Sequence, residues 1–248
     1  MGKESITVVT GYHFCINKER MSSNKWFGKI NDMVFTSTYT QKPFKIHQKL
    51  TPFLLQSVAY VVSVLKQKNL LPRPDRRGVI MNVPNAVSAE IDSYLNAFHQ
   101  PRRRIRPHQS LAIDSSSPTA LVTLQFNFKG PSATLTDRYG GLSGLGWAYN
   151  LLRENRSDLM IVVDIDRESS LTDDFVGSIS VAALIKESST GEIAPVGKLT
   201  DWTFEYPRKD SLYGNKLEQV MIWLESENSS PWFGYVDPDN WAICFTKS

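Results

Sequence analysis

The sequence predicts a layered α/β fold around a mainly parallel mixed sheet, and three observations carry that prediction. Strand-like apolar runs alternate with segments of helical period from residue 5 to residue 187. One run, "DLMIVVDI" at 158–165, is apolar almost without interruption, the pattern of a strand buried on both faces. The chain has 248 residues with 41% hydrophobic content, enough to bury a substantial core as a single domain spanning 1–248.

"SITVVTGYHF" at 5–14 has the β-branched content of a buried first strand. After a polar segment, "TPFLLQSVAYVVSVLKQKN" places Thr51 as N-cap and Pro52 at the first helical position. Its apolar residues Leu50, Leu54, Val58, Val61 and Leu65 recur at helical spacing, and Pro72 and Pro74 close it. "RGVIMNV" at 77–83 reads as the next strand. "SAEIDSYLNAF" reads as a helix with Ile91, Tyr94, Leu95 and Phe98 on one face. Ser117 and Pro118 open the helix "TALVTLQFNF", which ends at a turn through Lys129, Gly130 and Pro131. "SATLT" is then a strand. "GLSGLGWAYNLLREN" is a helix with Leu142, Leu145, Tyr149 and Leu152 on one side, and "VGSISVAALIKE" is a further strand. Residues 5–187 form the core of this reading. Residues 188–248 are an extension completing the domain, in which "KLTDWTFEYP", "KLEQVMIWLES" and "NWAICFT" each fit a strand or a short helix.

The balance of charge excludes several functions. There are 28 Lys and Arg against 25 Asp and Glu, a net charge of +3, too small to argue for nucleic acid. The run Arg102, Arg103, Arg104 and Arg106 is the one local basic patch, either a solvated loop or an anion contact. Cys15 and Cys244 lie at opposite ends without a CxxC pair, so neither a disulfide framework nor a metal site is expected, and a cytoplasmic setting fits. "FLLQSVAYVVSVL" at 53–65 is too short to span a bilayer, so no membrane span is expected.

The stretch that bears on chemistry is "GPSATLTDRYGGLSGLGWAYNLL" at 130–152: a strand, a sharp turn and a helix, a place where several enzyme families hold a nucleophile. With its flanks it resembles the N-terminal half of a β-ketoacyl synthase, a condensing enzyme of thiolase-like α/β/α fold. Gly130, Pro131 and Ser132 match the family's turn, Thr136 and Asp137 match the end of its strand, and Tyr139 stands at the position of its nucleophilic cysteine. A thiolate is acylated there because a helix N-terminus lowers its pKa and backbone amides hold the oxyanion. A phenol, with a reference pKa near ~10, is a poor and bulky substitute. The family's catalytic histidines lie in its C-terminal half, and no histidine follows the elbow here. His13, His47, His99 and His108 all precede it and match no catalytic motif.

The resemblance therefore implies no catalytic residue. It implies a shortened chain-length-factor-like subunit of the type II polyketide or aryl-polyene kind, which forms a heterodimer with an active β-ketoacyl synthase and shapes its acyl tunnel. It implies no cofactor held by this chain. A transient acyl carrier protein would present the phosphopantetheine-bound acyl chain to the partner subunit, with the arginine run as a candidate contact. The strand Ser132, Ala133, Thr134, Leu135 and Thr136 would form the partner interface. Ile105, Leu121, Leu124, Gln125, Phe128 and Tyr139 would bound the tunnel. Gly140, Gly141, Gly144 and Gly146 fit the tight turn and close helix packing. Two other classes stand beside this reading: a stand-alone acyltransferase or hydrolase using Ser143 or Cys15, for which no triad is visible, and a homodimeric scaffold that binds carrier protein.

Overall fold

The structure is a computed structural model that describes residues 6–17, 20–21, 50–99, 111, 113–136, 141–167, 177–187, 197–203, 212–214, 216–235 and 242–247. Its strands are β1 (Ile6–Asn17), β2 (Arg20–Met21), β3 (Arg77–Asn82), β4 (Ser132–Leu135) and β5 (Leu159–Arg167), followed by β6 (Gly177–Lys186), β7 (Gly197–Thr203), β8 (Leu212–Gly214), β9 (Trp232–Tyr235) and β10 (Ala242–Lys247). They form one sheet in the order β4-β3-β5-β6-β1-β7-β10-β9-β8, with β2 paired off β1. The helices are α1 (Thr51–Gln67), α2 (Ser88–Phe98), α3 (Ser117–Phe126), α4 (Leu142–Arg153) and α5 (Leu217–Glu225).

Strand alternation divides the core into two layers. Val79 and Met81 of β3, with Ile161 and Val163 of β5, point to the face covered by α1 and α3, where Leu54, Val58, Val61 and Val122 meet them. Ile80, Met160 and Val162 point to the other face, under Leu142, Leu145 and Leu152 of α4 and Leu217 and Val220 of α5. Period 2 in the strands and period 3.6 in the helices thus give helix, sheet and helix layers. The expected layered α/β class is the one observed, and β5 is buried on both faces as its composition predicts.

The pairing balance differs from the expectation of a mainly parallel sheet. Parallel neighbours are β3 with β4, β3 with β5, and β8 with β9. The remaining pairs are antiparallel, including β5 with β6 and β6 with β1. Chain length explains the turn-back after β5. Only nine residues separate Arg167 from Gly177, fewer than the dozen or so that a parallel crossover needs.

Two local expectations are also corrected. The N-cap of α1 is Leu50, and Thr51 is buried inside the first turn, with Pro52 beside it. The expected apolar side of α2 is not buried as a whole: Ile91, Leu95 and Phe98 are exposed, Phe98 to 65%, and Tyr94 is half-buried. The helix is held at its start instead, where buried Arg167 of β5 donates to the Ala86 carbonyl at 3.0 Å and pairs with Glu90 at 2.9 Å.

Beyond residue 187, β7 pairs with β1 through Ile6↔Leu199 and carries the sheet onward to β10, β9 and β8. The three ambiguous C-terminal segments resolve as β7, α5 and β10. No described helix is long and apolar enough to cross a membrane.

Candidate functional site at the open sheet edge

The strand singled out by the sequence lies at the end of the sheet. β4 is paired to β3 in parallel, with Val79↔Ser132, Ile80↔Ala133, Met81↔Thr134 and Asn82↔Leu135, and nothing among the described residues pairs its other side. The amide of Val79 donates to the Pro131 carbonyl at 3.0 Å and that of Val83 to the Leu135 carbonyl at 2.8 Å. In a parallel ladder every second residue bonds to the same neighbour. Pro131, Ala133 and Leu135 therefore face inward with their backbone groups, while Ser132, Thr134 and Thr136 present theirs outward.

The two sides of this strand are finished differently. Toward α3, the Thr134 and Thr119 hydroxyls are bonded at 2.7 Å. Toward α4, Ala133 and Leu135 are only partly buried against the core, as is Leu151 of α4. The turn entering β4 needs its glycine, since a Cβ on Gly130 would lie 2.6 Å from the Arg77 carbonyl oxygen.

The helix after the elbow sits low on the sheet. Its N-cap is Gly141 at φ 83°, where a Cβ would come within 2.8 Å of the Asp164 Cβ. One turn on, a Cβ at Gly144 would lie 3.0 Å from Val162 and 3.3 Å from Ile80. These contacts give the glycines their physical role: left-handed backbone at the first, close helix-to-sheet approach at the second. Asp137, Arg138, Tyr139 and Gly140 lie outside the described residues, as do Ile105, the arginine run and His108.

The other candidate tunnel residues do not share one surface. Leu121 and Phe128 are buried, Phe128 within the core under α3. Leu124 is 52% exposed. Gln125 is half-buried, and its Oε1 is shielded from solvent without a donor among the described residues. Ser143 lies in the first turn of α4, and His99 packs edge-on against Phe98. No group of three or more His, Cys, Asp or Glu able to hold a metal occurs among the described residues.

Two features of this region went unremarked in the sequence. Asp164, near the C-terminal end of β5 and against Gly141 at the start of α4, is buried and accepts a 2.8 Å hydrogen bond from Asn82 Nδ2. Burial raises its pKa to about 7; Asn82 opposes that shift, neighbouring Asp166 reinforces it, and Lys216, paired with Asp166 at 2.6 Å, opposes it again. An acid inside an otherwise apolar run was the available signal. Trp147, on α4, is 55% exposed, on the side of the helix away from the buried Leu142, Leu145, Tyr149 and Leu152. A tryptophan opposite the apolar stripe of an amphipathic helix was the signal there.

No protein-family model and no curated protein matches the chain. Solved structures do. One is a type II PKS acyl-carrier protein in complex with its ketosynthase bound to the hexaketide, AntDE:AntF: TM-score 0.67, 11% identity, covering 99% of this chain and 100% of the matched chain. Another is the ketosynthase ApeO in complex with its chain length factor ApeC from Xenorhabdus doucetiae, with TM-score 0.57 and 11% identity, covering 98% and 99% of the two chains. A third is the ketosynthase from module 1 of the bacillaene synthase from Bacillus amyloliquefaciens, with TM-score 0.54 and 11% identity; the match takes in 86% of this chain and 48% of that one. The chain has the ketosynthase-like layered α/β fold, over about half the length of the modular enzyme.

Proposed function

We propose that this chain is a non-catalytic, chain-length-factor-like subunit that forms a heterodimer with an active β-ketoacyl synthase through β4 and bounds its acyl tunnel. The observation that carries the reading is that nothing among the described residues pairs the outer side of β4, where the backbone groups of Ser132, Thr134 and Thr136 point outward; the sequence that follows carries Tyr139 where the resembled family has its cysteine. An edge of that kind is a pairing template unless another chain covers it. The ketosynthase-like fold supports the choice of partner. The partner supplies the cysteine and histidines, and this chain supplies interface and boundary. It holds no cofactor of its own. Acyl carrier protein visits the complex in the cytoplasm, delivering the phosphopantetheine-bound chain to the synthase.

The test is co-expression with a β-ketoacyl synthase from the same genome that retains its cysteine and both histidines, read by light scattering after size exclusion. The expected result is a 1:1 complex. Ser132→Pro is expected to weaken it by about tenfold or more while leaving the melting temperature of the isolated chain nearly unchanged, because the amide it removes points away from β3. A chain that ignores the synthase and remains a homodimer would assign it to the scaffold class. A stable acyl adduct on the isolated chain, seen by intact mass, would overturn the non-catalytic assignment.

A further inference from the structure

The surface beside the open edge specifies what kind of partner fits it, an inference that rests on the reading above. On α4, Gly144 lies against Ile80 and Val162, with Leu135 3.9 Å from the position a Cβ would take. That fixes which side of the helix faces β4. Residues three and four apart share a helix side, so Trp147 and Leu151 continue the same side outward from Gly144. Leu151, Ala133 and Leu135 are partly buried against the α4 core, and Trp147 stands above them at 55% exposure. None of these four side chains carries charge, and Ala133 and Leu135 belong to β4, whose outer side no described residue pairs.

A strand added to β4 lies about 4.8 Å farther out, whereas a layer packed on a sheet face sits about 10 Å above it. An extended peptide would therefore satisfy the outward groups of Ser132, Thr134 and Thr136 and leave Trp147 in water. Covering both requires a partner with a strand at the level of the sheet and a helix in the α4 layer. We infer that Trp147 is the anchor of a two-layer docking surface, occupied by the strand and the adjoining helix of the ketosynthase subunit. A large amphipathic ring beside uncharged, partly buried side chains is the type of residue on which interface affinity concentrates. Because Trp147 projects from the monomer, its removal does not open the core.

The test measures the dissociation constant of the co-purified complex for Trp147→Ala, Trp147→Phe and Ser132→Pro, with the thermal melt of each isolated chain as a folding control. Trp147→Ala is expected to weaken the complex by about thirtyfold, Trp147→Phe to stay within about fivefold of the parent, and the melts to coincide. If Ser132→Pro weakens the complex and Trp147→Ala changes it by less than about threefold, the partner contacts the strand layer alone and this inference is overturned while the heterodimer reading stands. If neither variant matters, the β4 interface itself falls, and the inference falls with it. If Trp147→Ala instead dissolves a self-associated form in the absence of the synthase, a second copy is the occupant and the partner assignment is overturned.

Discussion

β5 and β4 flank the same strand, both parallel to β3 and both in direct register with it, yet they live in different environments. Val163 of β5 and Thr134 of β4 both pair with Met81. Every residue of β5 except Asp166 is buried, while β4 runs from an exposed Ser132 to a half-buried Leu135. The pairing partner is the same, so the difference lies on the far side: β5 has β6 beyond it and a helix layer on each face, and β4 has no strand beyond it among the described residues. What a strand must bury is set by both neighbours, and β-propensity alone does not report it.

Paired truncations give the sharpest way to break this comparison. Leu159→Ala in β5 removes a fully buried side chain and is expected to cost about 2–5 kcal/mol, including the cavity left in a packed interior. Leu135→Ala in β4 is expected to cost half of that or less in the isolated chain, because its side chain is already partly in water. Urea unfolding of both variants checks the contrast. Equal losses would mean that β4 behaves as an interior strand and that no partner is needed to complete it.

The sequence made β5 legible because a strand sealed on every side must be apolar at nearly every position, and "LMIVV" is. The edge position of β4 was legible for a different reason: "SATL" is short and mixed, and its place was reached through the family resemblance. The apolar face of α2 shows where periodicity stops. Ile91, Leu95 and Phe98 fall at helical spacing, which establishes that they share a face but not that anything covers it. Thr51 illustrates a similar gap. A threonine before a proline fits the composition of an N-cap, but the helix begins one residue earlier because Leu50 is drawn fully into the core. At the site, Gly141 and Gly144 were legible as turn and close-approach residues, while Trp147 and Asp164 became visible only once the layers placed one on the exposed side of α4 and the other beneath that helix's N-terminus.

Asp164 sharpens the comparison from the β5 side, since it is the cost of placing an acid in a strand with no solvent face. Its folded pKa of about 7 lies above the ordinary 3.8, so between those values the folded chain holds a proton that the unfolded chain has lost. Stability therefore falls as pH rises through that window and levels off above it. From pH 5 to pH 7 the loss attributable to this group is about 2 kcal/mol. Asp164→Asn keeps an acceptor for Asn82 and is expected to abolish that part of the slope, leaving a smaller dependence on pH in chemical denaturation at the two values. A variant with the parent's slope would mean that the carboxyl titrates as if exposed, and that β5 is less sealed than its burial implies.

The smallest expected effect lies on the α3 side of β4, where the Thr119–Thr134 hydroxyl pair is the polar finish that the α4 side lacks. Thr134→Val leaves the buried Thr119 hydroxyl without its partner and is expected to cost about 1 kcal/mol. Thr119→Val together with Thr134→Val removes both ends of the bond while keeping their shape, and is expected to recover much of that loss, so the two substitutions are coupled in a double-mutant cycle. Recovered stability comes with a change in association. With both hydroxyls gone, position 134 is apolar toward the α3 layer, as Ala133 and Leu135 are toward α4, while the backbone of β4 still faces outward. An apolar unpaired edge recruits other edges, so the double variant is expected to sediment as larger species than the parent at equal concentration. Sedimentation identical to the parent would show that the threonine pair contributes stability to β4 and nothing to keeping its open side single.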